Sequence, residues 1–199
     1  MKGGDHIKNK IQVAFPTLLS LALLFIFTDK IMLFAVISAT VIHELGHIFG
    51  AMLTKIKITR FSVDLLGARL ETGRTLISYT DEIILSAAGP FFNILSVIAF
   101  RGVTLPFFVH FVAASLSLAV LNLLPIETFD GGRILYCLLS KLSSNDSAAV
   151  LLRAMSFICL FALWCVSVYF LIRSSSSLSL FTFSLTLFNR LFLPNKEDL

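Results

Sequence analysis

The amino-acid sequence predicts an all-α polytopic membrane protein, with about six transmembrane helices and a small cytoplasmic β-hairpin or sheet after the second. Three observations carry this reading. The 199-residue chain is 57% hydrophobic, and its mean hydropathy is +0.91. Only 14% of it is charged, against roughly a quarter in soluble domains. The apolar residues also gather into runs long enough to cross a bilayer, for which a helix needs about 20 residues. The length suits a single membrane-embedded domain, 1–199.

The first run covers 12–28. The stretch before it, "MKGGDHIKNKIQ", has a signal-peptide outline, but no small-x-small cleavage site follows the run. We read it as an uncleaved first span, with Lys10 and Lys30 snorkelling at its ends. The second run covers 31–53. After it comes the largest polar loop, "TKIKITRFSVDLLGARLETGRTLISYTDE". Within that loop "KIKITRFSV" and "GARLETG" alternate as strands do, around a turn near Gly67. Further runs cover 82–100, 104–124 and 148–172, and "SSSS" at 174–177 reads as a linker. The last run, 178–193, places Ser179, Thr182, Thr186 and Asn189 near one helical face. It either spans or lies in the interface as an amphipathic helix, and spanning is the preferred reading.

Positive charge orients the chain. With the N-terminus inside and six alternating spans, twelve Lys and Arg side chains lie inside, among them Lys55, Lys57, Arg60, Arg69, Arg74, Arg133 and Lys141. Only Lys30, Arg101 and Arg173 lie outside. The positive-inside rule makes the inside cytoplasmic. No basic tract carries interleaved aromatics, so no nucleic-acid partner is indicated. The 20 phenylalanines suit lipid-facing and inter-helix packing. Cys137, Cys159 and Cys165 have no CxxC spacing and read as small apolar residues rather than ligands or a disulfide framework.

One stretch breaks the apolar pattern. "VIHELGHIFGAML", Val41 to Leu53, contains His43-Glu44-Leu45-Gly46-His47, an HExxH motif. Residues four apart on a helix share a face. Two imidazoles so placed can bind one zinc ion, and the glutamate can hold and deprotonate a water at the metal. From this chain's own composition of 4 His the pattern is expected by chance only about 0.002 times. Ionisable groups inside a membrane segment are rare and usually functional. Counted from Ile31 at 1.5 Å per residue, His43 lies roughly 18 Å in and His47 roughly 24 Å in. That is the inner half of a core about 30 Å thick.

A catalytic zinc site usually has three protein ligands and a water. The fourth run returns inward and ends "LNLLPIETFDGGRIL". Pro125 ends or kinks the helix, and Gly131-Gly132 allow a tight turn and a close backbone approach. Asp130 is the candidate, with Glu127 as its rival. His110 sits towards the outer end of its span and is a poor candidate, and His6 lies in the N-terminal polar stretch. The competing reading of Asp130 is a helix N-cap for "GGRILYCLLSKL".

Together these residues resemble the site-2 protease family of intramembrane zinc metalloproteases. The matching elements are "HELGH" at 43–47 and "NLLPIETFDGGRIL" at 122–135. The latter fits the family's NxxPxxxxDG pattern through Asn122, Pro125, Asp130 and Gly131. "AAGPFFNIL" at 87–95 is similar to the family's Gly-Pro-x-x-Asn element. Order and spacing agree over about 31–140, and the closest likeness is to the compact SpoIVFB-like subgroup, without its CBS domain. The resemblance implies one Zn2+ per chain held by His43, His47 and Asp130, with Glu44 activating water. It implies a substrate that is a transmembrane segment or a membrane-associated proprotein, and a membrane regulator protein is a further candidate partner. The resemblance also implies a bacterial cytoplasmic membrane or a sporulation membrane as the setting. Asn122, then Asn93, are the candidates for oxyanion or substrate-backbone contacts; the alternative for each is an inter-helix hydrogen bond. Two rival functions remain in view, a catalytically inactive membrane-binding relative and a metal transporter. The intact HExxH argues against the first. The scarcity of polar residues in the outer halves of the spans argues against the second.

Overall fold

The computed structural model describes residues 12–13, 29–56, 58–64, 67–72, 77–173, 184–188 and 191, with the strand residues described by their backbone alone. The chain divides into two compact units, Met1–Ala119 and Val120–Leu199.

The first unit is built on two long helices, α1 (Lys30–Thr54) and α2 (Tyr79–Phe100). Asp29 starts α1 by accepting a hydrogen bond from the Met32 N–H at 3.3 Å, which satisfies one of the amides a helix start leaves without a partner. Lys55 stops it in the left-handed conformation, φ 55°, with its N–H turned back onto Ala51 and Met52 carbonyls. Ser78 caps α2 through a 3.3 Å bond from the Thr80 N–H. Asp81 and Glu82 follow in its first turn, where the helix dipole favours negative charge. α2 begins three residues before the apolar run at 82–100, because this polar cap is invisible to a hydropathy window.

Between the helices lie β2 (Ile58–Asp64) and β3 (Gly67–Thr72), paired antiparallel from Ile58 opposite Thr72 to Asp64 opposite Gly67. The segment expected to alternate around Gly67 contains both. A short strand β1 (Gln12–Val13) adds to β2 in parallel, Gln12 opposite Ser62 and Val13 opposite Val63. This corrects the start of the expected first span, since Gln12 and Val13 are extended rather than helical. The rest of 12–28 lies outside the described residues.

α1 and α2 touch along small residues. A Cβ on Gly46 would stand 2.5 Å from the Ala88 carbonyl oxygen and 2.9 Å from the Gly89 Cα. Lipid gives apolar helices no hydrophobic reason to associate, so close backbone approach at small residues is what holds such a pair. Gly46→Ala would force the backbones apart and is expected to cost about 1–3 kcal/mol, read as a lower melting temperature in detergent. α3 (Pro106–Asn122) closes the unit, with Phe111 packed on Ala35 and Ala39 of α1 and flanked by Phe100 and Phe107.

The second unit holds α4 (Asp130–Leu142) and α5 (Asn145–Arg173). α5 extends the expected 148–172 run by the polar start Asn145-Asp146-Ser147. Residues 184–188 are helical, and the Ser184 hydroxyl lies 3.5 Å from that of Ser167 on α5. The remainder of the 178–193 run, apart from 191, lies outside the described residues.

Among the described residues three helices, α1, α2 and α5, are long and apolar enough to cross a membrane, and α3 is a shorter apolar helix. Of the six expected spans, 82–100 and 148–172 correspond to α2 and α5, 31–53 to α1 and 104–124 to the shorter α3, while 12–28 and 178–193 lie largely outside the described residues. The spans turn large apolar side chains outward, such as Phe34 on α1, Ile98 on α2 and Ile158 on α5. A surface of that kind suits lipid rather than water, and the chain is a membrane protein.

Candidate metal centre

His43 and His47 are both on α1, one turn apart, and both are buried at 5% and 9% exposure. Their Nε2 atoms are 3.1 Å apart, and the rings meet edge-on at 84°. Nitrogens that close share either one proton or one metal ion. Two tetrahedral zinc ligands with bonds of about 2.0–2.1 Å would stand slightly over 3 Å apart, so the pair fits a zinc ion.

The tautomer of His47 follows from its other nitrogen. Nδ1 lies 2.9 Å from the Leu85 carbonyl of α2, and a carbonyl only accepts, so Nδ1 carries the proton and donates it. That leaves the Nε2 lone pair for a metal, and a second hydrogen bond of this kind orients a ligating imidazole and raises its basicity. α2 also makes the room. A Cβ on Gly89 would lie 2.5 Å from His47 Nε2 and 2.9 Å from His43 Cε1. Gly89 was visible in the sequence only as part of a Gly-Pro-x-x-Asn element. Its steric role could not be read there, because it depends on which face of α2 meets α1.

Glu44 is half-buried on α1 between the two histidines in sequence. Asn93 lies on α2, one turn past Gly89. It is 0% exposed, and neither polar atom of its side chain has a hydrogen-bond partner among the described residues. A buried amide in that condition is costly and is suited to a polar group supplied from elsewhere.

In the second unit Asp130 is buried at 8% exposure as the first residue of α4. The N-cap is Phe129, which makes no side-chain capping bond. The alternative of Asp130 as N-cap is therefore set aside: Asp130 lies inside the helix, at the positive end of its dipole. Glu127, the rival ligand, is exposed, and so is His110 on α3; Asn122, at the end of α3, is half-buried.

Residues 96–163 match the family model of Peptidase family M50. That stretch contains Asn122, Pro125, Asp130 and Gly131; His43, Glu44, His47 and Asn93 lie before it. No curated protein matches the chain. Among solved structures it is similar to the site-2 protease from Methanocaldococcus jannaschii, at 21% identity and a TM-score of 0.59, over 89% of this chain and 87% of that one. The chain thus has a fold similar to that of a site-2 protease and, from residue 96 to residue 163, a match to Peptidase family M50.

Proposed function

We propose that this protein is an intramembrane zinc metalloendopeptidase of the site-2 protease type. It cleaves a transmembrane or membrane-associated protein near the cytoplasmic side of a bacterial cytoplasmic or sporulation membrane. The observation that carries the proposal is the buried pair His43 and His47, Nε2 to Nε2 at 3.1 Å, on a helix of spanning length with Glu44 beside it. The match to Peptidase family M50 and the fold likeness support it.

In this reading His43 and His47 ligate through Nε2 and Asp130 ligates through a carboxylate oxygen, each of the three being buried and able to offer one ligand atom. Burial favours Asp130 over the exposed Glu127, since a water-facing carboxylate gives up more hydration on binding a metal. Zinc, when bound, supplies Lewis-acid polarisation of oxygen ligands. Glu44 takes a proton from the attacking water and returns it to the leaving amine as the peptide bond breaks. Asn93 and Asn122 donate hydrogen bonds to the substrate backbone or to the oxyanion. The twelve-to-three distribution of Lys and Arg supports an N-terminus in the cytoplasm. A membrane regulator protein that controls access is part of the same proposal.

Asp130→Ala is expected to weaken zinc binding more than the ~10–100-fold lost with outer-sphere partners, and to abolish cleavage of a membrane-tethered reporter. Metal content by mass spectrometry on purified protein measures the first effect. Unchanged zinc content in this variant would move the ligand role to Glu127 or another residue. Zinc flux into liposomes without reporter cleavage would favour a transporter. Partner binding without cleavage would favour an inactive relative.

A further inference from the structure

Several serines and threonines in these apolar helices satisfy themselves locally. Ser38 donates to the Phe34 carbonyl at 2.7 Å, Thr40 to Val36 at 3.0 Å, and Ser167 to Trp164 at 2.7 Å. This is the usual back-bonding of a helix hydroxyl. Ser156 on α5 bonds outside its own helix. Its Oγ accepts the Glu127 N–H at 2.9 Å and donates to the Pro125 carbonyl at 3.4 Å. The residue is 0% exposed. One hydroxyl thus grips two backbone groups of the loop between α3 and α4, from a helix that begins after that loop has ended.

The loop passes the constraint on to α4. Ile126, between the two gripped residues, is 0% exposed and bonds back to the Leu124 carbonyl at 2.8 Å. The Phe129 N–H then bonds to the Ile126 carbonyl at 2.8 Å, and the Arg133 N–H to Phe129 at 3.2 Å. Any Cβ on Gly132 would run into the Ile126 carbonyl, and any on Gly131 into those of Leu123 and Leu124. There is no slack between Pro125 and the first turn of α4, so moving the loop moves Asp130.

We propose that Ser156 is a positioning residue that, by clamping Pro125 and Glu127 from α5, fixes the start of α4 and so the place of the Asp130 carboxylate. This rests on the reading of Asp130 as a zinc ligand. It concerns a residue that touches neither metal nor substrate and acts only through the loop.

The test compares full-length Ser156→Ala, Ser156→Thr, Leu160→Ala and Asp130→Ala in detergent. Zinc affinity is measured against a chromophoric chelator, alongside hydrogen exchange at the Glu127 amide and melting temperature. Ser156→Ala is expected to speed Glu127 exchange about tenfold and to weaken zinc about tenfold. Ser156→Thr, which keeps the hydroxyl, restores both towards wild type. Leu160 is 2% exposed one turn further along α5, so Leu160→Ala lowers the melting temperature and leaves zinc affinity unchanged. Unchanged Glu127 exchange in Ser156→Ala overturns the clamp itself. Faster exchange with wild-type zinc affinity overturns the positioning role, provided that Asp130→Ala has lost zinc. Equal zinc loss in Leu160→Ala and Ser156→Ala reduces the effect to general destabilisation and also overturns it. Zinc retained by Asp130→Ala overturns the underlying ligand reading instead, and the exchange measurement, which involves no metal, keeps the two failures apart.

Discussion

Glu44→Gln is expected to leave the zinc content of the purified protein unchanged while lowering cleavage of a tethered reporter by about 10³-fold, within the ~10²–10⁴-fold that a positioned acid–base group contributes. Glutamine keeps the length and shape of the side chain at this half-buried position on α1, so helix packing is untouched. It cannot accept a proton from water or carry one to the leaving amine. Neither histidine changes, so metal content reports their integrity separately from the chemistry. Reporter cleavage within tenfold of wild type would remove Glu44 from its role, whatever the metal content. The variant also offers a route to the substrate: a membrane precursor that accumulates only in cells carrying Glu44→Gln is a candidate.

The second large effect is expected at a residue with no chemistry of its own. Gly89→Ala puts a methyl group 2.5 Å from His47 Nε2 and 2.6 Å from His47 Cε1, well inside contact distance. The His47 ring cannot swing aside without breaking its 2.9 Å bond to the Leu85 carbonyl, and moving α2 away disturbs the seam at Gly46. Either response costs His47 its hydrogen bond to the Leu85 carbonyl and with it the orientation of its Nε2 towards a metal. Overpacking of this kind costs about 1–3 kcal/mol in stability. Zinc affinity is expected to fall more than about a hundredfold, beyond the loss from outer-sphere changes. Gly102→Ala is the control, because a Cβ there meets nothing within 4 Å. Calorimetric zinc titration of both variants decides the matter: wild-type affinity in Gly89→Ala would mean that the ring pair tolerates displacement and that the glycine is not needed for it.

What the sequence made legible follows from the range of the forces involved. His43 and His47 could be paired from spacing alone, because the helical repeat brings residues four apart onto one face. The strand-like alternation around Gly67 was also local. Gln12 and Val13 were misread because their partners, Ser62 and Val63, are fifty residues away, and an apolar run carries no mark that distinguishes a buried strand from a helix start. The ends of α2 and α5 were missed by three residues each because their first turns are polar. Ser156 looked like any serine in a span, and its link to Glu127 depends on how α5 folds back. Gly89 could be noticed as a motif letter, but its purpose is a distance to another helix. Asp130 was singled out as a candidate from its neighbours, Pro125 and the glycine pair, although its position one residue inside α4 rather than at the cap needed the structure.

The seam at Gly46, Ala88 and Gly89 also bears on motion. Helices separated by side chains can rock, since rotamers absorb small displacements. Here backbone meets backbone, and rotating α1 about its axis would drive Gly46 into the Ala88 carbonyl. The α1–α2 pair should therefore behave as a single stiff piece. Parting these two helices would cost the His47–Leu85 hydrogen bond together with the Gly46–Ala88 approach, so the orientation of the His47 ring and the stiffness of the pair stand or fall together.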